Sequence, residues 1–233
     1  MEIWNPGYTE YFYFLKKAPF TQWSYSVFKV DGIEYTYAEQ FMMAEKARFF
    51  KDEETLALIL KSTTPREQKA LGRKVKGFNK EAWEAVARDC VYKGNHAKFL
   101  QNPDMFKVLM ETRSKLLVEV NPVDPIWGIG LTGDEARAGI PWKGTNWLGE
   151  VLTKLRESFV HSFTLLLLNA DEITEAMANA IFEAGCDDAT LSSRGEFVYL
   201  GFDREAETFE KALASAMADV KKAGYTAGRY DAK

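Results

Sequence analysis

Cysteine and histidine are scarce: the 233 residues hold two of each. Cys90 and Cys186 stand too far apart in sequence to suggest a clip, and a chain of this length can build a real core without disulfides. His96 and His161 lack Cys or His partners at ligand spacing, which argues against a metal site and leaves little from which to build a Ser-His-Asp or Cys-His arrangement. No P-loop spacing is present. The longest apolar run, FTLLLL from Phe163 to Leu168, is far too short for a bilayer span and suits a buried strand. MEIWNPGYTEYFYF has neither a basic n-region nor a small-residue cleavage site, so the expected compartment is a reducing cytoplasm, with no membrane association. Internal repeats and low-complexity tracts are also lacking.

A strong overall charge is missing as well, the formal net value being −4, but its distribution is uneven. Residues 1–159 carry 23 Lys+Arg against 21 Asp+Glu, whereas residues 160–233 carry 7 against 13. The first part can accept phosphates locally; an acidic tail is a poor nucleic-acid surface.

The two parts also differ in grammar. Aromatic, strand-like segments open the first, and Asp31-Gly32 reads as a hairpin turn. Helical patterns follow: Tyr37 to Phe50, EETLALILKS, REQKALGRKV after Thr64-Pro65, one or two helices capped by Asn79, and a segment with Pro103 in its first turn. KLLVEV reads as a strand. It feeds a long loop rich in Gly, Pro and Trp, expected to be functional, before a final helix, WLGEVLTKLRESF. From about His161 the order becomes strand, helix, strand, strand, helix, with a turn at Ser193-Arg194-Gly195, which is part of a ferredoxin-like pattern. The fold class is therefore α+β: a mostly helical domain over 1–159 and a small acidic βαββα module over 160–233.

Three stretches can carry chemistry. On the first helix Glu39, Met42, Met43, Lys46 and Phe50 share one stripe. This is either a paired, partly buried bridge or a site wall in which apolar surroundings tune a carboxylate and an amine. Asp124 lies between Pro122 and Pro125, just before Trp127-Gly128, a rigid acid beside an aromatic plane suited to a planar polar ring; an ordinary turn Asp is the plainer reading. In KGTNWLGEVLTKLR, Gly144 and Gly149 permit close backbone approach, Asn146 can cap the helix, and Arg156 projects from it. The one basic cluster, Arg66, Lys69, Arg73, Lys74, Lys76 and Lys80, is either a solvated helix face or a phosphate site.

Taken in order, EYTYAEQFMMAEKARFF, LGRKV, Trp83 with Arg88, HAKFLQNPDMFKVLMET, LVEVNPVDPIWGIG and GTNWLGEVLTKLRE resemble the NADAR (YbiA-like) N-glycosidase family, over nearly all of residues 10–158. The resemblance implies hydrolysis of a ribosyl C–N bond without a metal or other cofactor. It places Glu39, Lys46 and Asp124 as catalytic residues and Trp127, Gly128 and Asn146 in substrate binding, with Arg73 and Lys98 as supports. Gln40 stands where a His is common in the family. Two substrate classes are implied: ADP-ribose on guanine bases of DNA, the activity of an antitoxin to an ADP-ribosylating toxin, and phosphoribosylamino-pyrimidine intermediates of riboflavin synthesis. The acidic module favours the first, since it could engage a basic toxin. A non-catalytic module that only binds ADP-ribose or a nucleotide is the remaining alternative.

Overall fold

The computed structural model describes residues 5–15 and 19–230; the first four residues of the N-terminal stretch quoted above lie outside that set. The chain divides into two compact units, 1–156 and 157–233.

In the first unit, β1 (Tyr11–Phe14) runs parallel to β4 (Leu116–Glu119), with Phe14 opposite Glu119. The antiparallel hairpin of β2 (Tyr25–Val30) and β3 (Ile33–Tyr37) turns at Asp31 and Gly32. Both have positive φ, 51° and 80°, the geometry that matches the twist of paired strands. The helices are α1 (Ala38–Phe49), α2 (Glu53–Lys61), α3 (Pro65–Gly72), α4 (Lys80–Leu100), α5 (Pro103–Met110), α6 (Gly133–Arg137) and α7 (Trp147–Glu157). Their starts obey local chemistry. Asp52, Thr64 and Asn79 accept from Thr55, Glu67 and Ala82 backbone N–H groups, and Pro65 and Pro103 occupy first turns, where a missing N–H costs nothing. Residues 80–100 form one unbroken helix.

The long connection after β4, read from its composition as a loop, contains the short helix α6. Thr132 and Glu135 form a capping box at its start. The loop packs inward: Ile129 and Leu131 are fully buried with β4, and Trp142 meets Tyr11 edge-on at 5.9 Å. Gly128 is needed for this approach, since a Cβ there would lie 2.8 Å from Asn121 Cβ and 2.9 Å from the Glu119 carbonyl oxygen. Arg156 does not project outward; it is buried, donating to Thr112 Oγ1 at 2.9 Å and the Lys115 carbonyl at 2.6 Å.

The second unit runs β5 (Val160–Leu167), α8 (Glu175–Ala184), β6 (Ala189–Arg194), β7 (Phe197–Glu205), α9 (Phe209–Lys222) and β8 (Ala227–Tyr230). All neighbouring pairs in its sheet are antiparallel, in the order β6-β7-β5-β8. The expected βαββα is thus one strand short of the full ferredoxin-like βαββαβ. AGRY carries no apolar alternation; its strand state comes from pairing with the free edge of β5. Leu165, Leu167, Val198, Leu200 and Phe202 meet Met177, Ile181, Ala216 and Val220 in the core. Arg204 ties the unit together, bridging Asp188 at 2.8 Å and Asp219 at 2.7 Å.

Candidate active site

A cavity of about 560 Å³ opens in the first unit, walled by α1, the end of α3, the start of α4, the end of β4 and the loop that follows it. Its size suits a nucleotide-sized ligand. The stripe predicted on α1 forms one wall: Glu39, Met42, Met43 and Lys46 all line the cavity, and Phe50 stands behind Phe78, whose ring is the floor beneath the Lys46 ammonium, 3.9 Å from Nζ.

Glu39 is 5% exposed. Its Oε2 accepts from the Trp23 indole N–H at 3.2 Å, and its backbone N–H donates to the Gln22 carbonyl at 3.1 Å. Burial pushes its pKa up to about 7, while Lys69, the Trp23 hydrogen bond and Arg73 pull down and Asp124 adds to the rise. Lys46 is shifted the other way, lowered by burial and partly restored by Glu39. The two form no ion pair; Lys46 makes its close approach to an aromatic face instead. The paired-bridge reading of this helix is therefore replaced by two separately tuned groups on one wall.

Asp124 also reaches the cavity, but as part of its loop. Oδ1 accepts from Ile126 and Trp127 backbone N–H groups at 3.2 and 3.1 Å, and Oδ2 faces Lys69 Nζ at 3.7 Å. The turn expected of this residue is present, and the same residue lies in the cavity wall. Trp127 stands edge-on to Trp147 at 5.7 Å, both rings facing the cavity. Arg88 packs over Trp147: its guanidinium lies 4.9 Å from that ring and donates to both carboxylate oxygens of buried Glu150 at 3.2 and 3.1 Å. Of the basic cluster, Lys69, Arg73 and Lys80 line the cavity, whereas Lys76 pairs with Glu54.

Three residues expected in substrate binding do not line the cavity. Lys98 is fully buried on α4, donating to the carbonyls of Pro19 at 2.5 Å and Thr21 at 3.1 Å; burial lowers its pKa to about 7. Instead of touching a ligand, it fixes the turn that carries Gln22 and Trp23. Asn146 does not cap with its side chain, which is turned against β4: its amide accepts from the Glu119 N–H at 3.0 Å and donates to the Leu117 carbonyl at 2.9 Å. The left-handed φ of 57° permits this, and Gly149 leaves the room, since a Cβ there would lie 2.0 Å from that same carbonyl oxygen. Gly128 is buried in the packing described above. Gln40, too, points away from the cavity, accepting from Thr36 N–H at 3.0 Å and donating to the Ile59 carbonyl at 3.2 Å.

Sequence reasoning missed Glu119, Gln22 and Trp23. Glu119 ends β4 at 9% exposure and lines the cavity; burial, with Asp124 and Glu39 adding, raises its pKa to about 7. The available signal was a carboxylate inside an otherwise apolar strand, LLVEV. Three carboxylates thus share a single cavity, and Asp124 adds to the rise in pKa of both glutamates. Among the described residues, no group of three or more His, Cys, Asp and Glu is disposed to hold a metal ion, and no helix is long and apolar enough to cross a membrane.

Buried carboxylates that hold protons near neutral pH, between stacking rings and a cationic rim, suit cleavage of a bond between a sugar and a base. The NADAR domain model matches residues 11–160. The chain belongs to the NADAR family. N-glycosidase R617 of Acanthamoeba polyphaga mimivirus is 45% identical over 146 residues, covering 59% of this chain and 85% of that protein. N-glycosidase YbiA of Escherichia coli (strain K12) is 32% identical over 129 residues, 55% of this chain and 73% of that one. The NMR structure of E. coli YbiA aligns with a TM-score of 0.54 at 27% identity, covering 65% of this chain and 85% of that chain. This NADAR protein is accordingly an N-glycosidase.

Proposed function

We propose that this NADAR enzyme hydrolyses the ribosyl C–N bond joining ADP-ribose to guanine in DNA, and so acts as an antitoxin to an ADP-ribosylating toxin. The observation that carries this reading is the combination, in one cavity of about 560 Å³, of buried carboxylates with pKa values near 7 and a rim formed by Lys69, Arg73 and Lys80.

The reaction passes through an oxocarbenium-like state. The C–N bond breaks with its electron pair going to the base nitrogen, which takes up a proton; water adds through oxygen to the anomeric carbon and loses a proton. Glu39 serves as the group at the anomeric centre, stabilising positive charge and receiving the proton of water. A pKa near 7 suits a carboxyl that must gain and lose a proton at neutral pH. Asp124, held rigidly by its own turn, accepts from ribose hydroxyls or from the leaving base. Lys46 either supports the ionised form of Glu39 or, as a neutral amine favoured by burial, attacks the anomeric carbon. Trp127 stacks on the base, and the cationic rim receives the pyrophosphate.

The acidic module supports the antitoxin part of the reading. A small-molecule enzyme has no evident use for a charged appendage, whereas a protein that must meet a basic, DNA-binding toxin can use one. The test is release of ADP-ribose from a guanine-modified oligonucleotide, followed by mass, beside cleavage of the phosphoribosylamino-pyrimidine. Faster turnover of the oligonucleotide is expected. Faster turnover of the pyrimidine moves the enzyme to riboflavin intermediates, and binding without release from either makes it a non-catalytic module.

A further inference from the structure

Two polar side chains in the cavity wall are buried with a hydrogen-bonding group unmatched. Gln22 is 8% exposed, and its Nε2 has no partner among the described residues. The amide's orientation is fixed by its neighbours: Asn95 Nδ2 donates both to the Val91 carbonyl and to Gln22 Oε1, each at 2.8 Å, so the Gln22 oxygen must face Asn95 and its NH2 is left over. The backbone is equally fixed, with the Gln22 carbonyl accepting from Glu39 and the preceding carbonyls of Pro19 and Thr21 held by Lys98. Glu119 presents the opposite polarity. Its Oε2 is unmatched, and Oε1 receives only a long bond, 3.5 Å, from Asn121. Its backbone is clamped on both sides, by the Asn146 side chain and by Ile129 N–H at 2.9 Å.

An unmatched buried polar group is costly, and such groups are rare unless something outside the fold satisfies them. One buried donor and one buried carboxylate oxygen, on two residues that line the same nucleotide-sized cavity, define the edge they can satisfy. A carboxylate takes two parallel N–H donors, and an amide NH2 takes a carbonyl oxygen. A 2-amino lactam, O=C–NH–C–NH2, supplies all three in a row. Adenine and cytosine supply no pair of adjacent donors.

We propose that Gln22 and Glu119 are the specificity-determining residues that read the 2-amino lactam edge of the leaving base, Gln22 donating to the carbonyl and Glu119 accepting from the N–H groups. The inference rests on the reading of the cavity as the site of base release. It deepens that reading, because the edge is common to guanine and to an aminopyrimidinone and is foreign to adenine.

The test is equilibrium binding of dGMP, dIMP and dAMP to the full chain by calorimetry at pH 8, where Glu119 is mostly ionised. Wild type is expected to bind dGMP at least about 10-fold tighter than dAMP, with dIMP, which lacks the 2-amino group, about 5-fold weaker than dGMP. Gln22→Met should weaken dGMP and dIMP together by about 5- to 10-fold and leave dAMP unchanged. Glu119→Gln should abolish the preference for dGMP over dIMP. Gln22→Glu keeps an oxygen for Asn95 and replaces the donor with an acceptor, so it guards against a Met variant that fails to fold, and it should reject dGMP more strongly. Equal binding of the three nucleotides by wild type, or an unchanged preference in folded variants, overturns the proposal. Because binding is read without turnover, a guanine preference with no ADP-ribose release sinks only the proposed substrate, and release without a base preference sinks only the base reader.

Discussion

The indole N–H of Trp23 donates to Oε2 of Glu39 at 3.2 Å, so a ring that is 42% exposed helps set the charge of a carboxylate that is 5% exposed. The bond favours the ionised carboxylate and works against the rise caused by burial. Trp23→Phe removes the donor and keeps the ring. The Glu39 pKa should then climb above about 7, and the acid limb of the kcat/KM profile should move up by about half a unit to one unit, with most activity recovered above pH 8. A profile that stays in place while the rate falls at every pH would show that Trp23 acts on substrate and not through Glu39.

Glu39 and Glu119 tie function to stability. Both carboxyls have folded-state pKa values of about 7 against an ordinary 4.5. Between those values the folded chain holds protons that the unfolded chain releases, so stability falls as pH rises through the window and is lowest above it. Glu119→Gln removes the Glu119 share of this contribution. The variant should be more stable than wild type at pH 8, by on the order of 1–3 kcal/mol at about 1.4 kcal/mol per pKa unit, and the difference should shrink towards pH 5. Denaturant melts at the two pH values check it; a variant less stable at pH 8 would mean that Glu119 is satisfied within the fold.

Much of this arrangement was legible in the sequence, and the rest was hidden for identifiable reasons. The face shared by Glu39, Met42, Met43 and Lys46 follows from helical spacing alone, and the structure makes it a cavity wall. Asp124 was marked by stiff flanking prolines, and Trp127 by following closely after it. Asn146 and Lys98, assigned to the site by family resemblance, do not line the cavity, because a motif match does not show side-chain direction: the first is turned against β4 and the second towards the turn at residues 19–21. Gln22 and Trp23 lie in an irregular segment with no period, and they reach Glu39 only through tertiary folding. The strand β8 exists because β5 has a free edge, a fact of topology that the four residues AGRY do not carry.

Lys69 and Arg73 at the rim should act on binding more than on chemistry. Arg73→Ala is expected to raise KM about 10-fold with kcat within about twofold, the loss of one charge-assisted contact to phosphate. Added salt should weaken wild type more than the variant. A fall in kcat at unchanged KM would place Arg73 at the reacting centre.

Lys46 has two possible parts, and reductive trapping separates them. If it attacks the anomeric carbon, the opened sugar forms an imine that borohydride fixes as a stable adduct on Lys46, found by peptide mass, and Lys46→Arg is inactive with no adduct. If it only supports Glu39, no adduct forms and Lys46→Arg keeps part of the rate, because the charge remains.

The most direct measurement is single-turnover release of ADP-ribose from the guanine-modified oligonucleotide by wild type and Glu39→Gln, with folding of both followed by thermal melting. The substitution keeps shape and removes charge from the wall of the cavity. A folded Glu39→Gln enzyme should bind the substrate and release ADP-ribose about 10²- to 10³-fold more slowly, the loss typical of a partner to developing charge. Wild-type rates in the folded variant would contradict the assignment of the chemistry to this carboxylate.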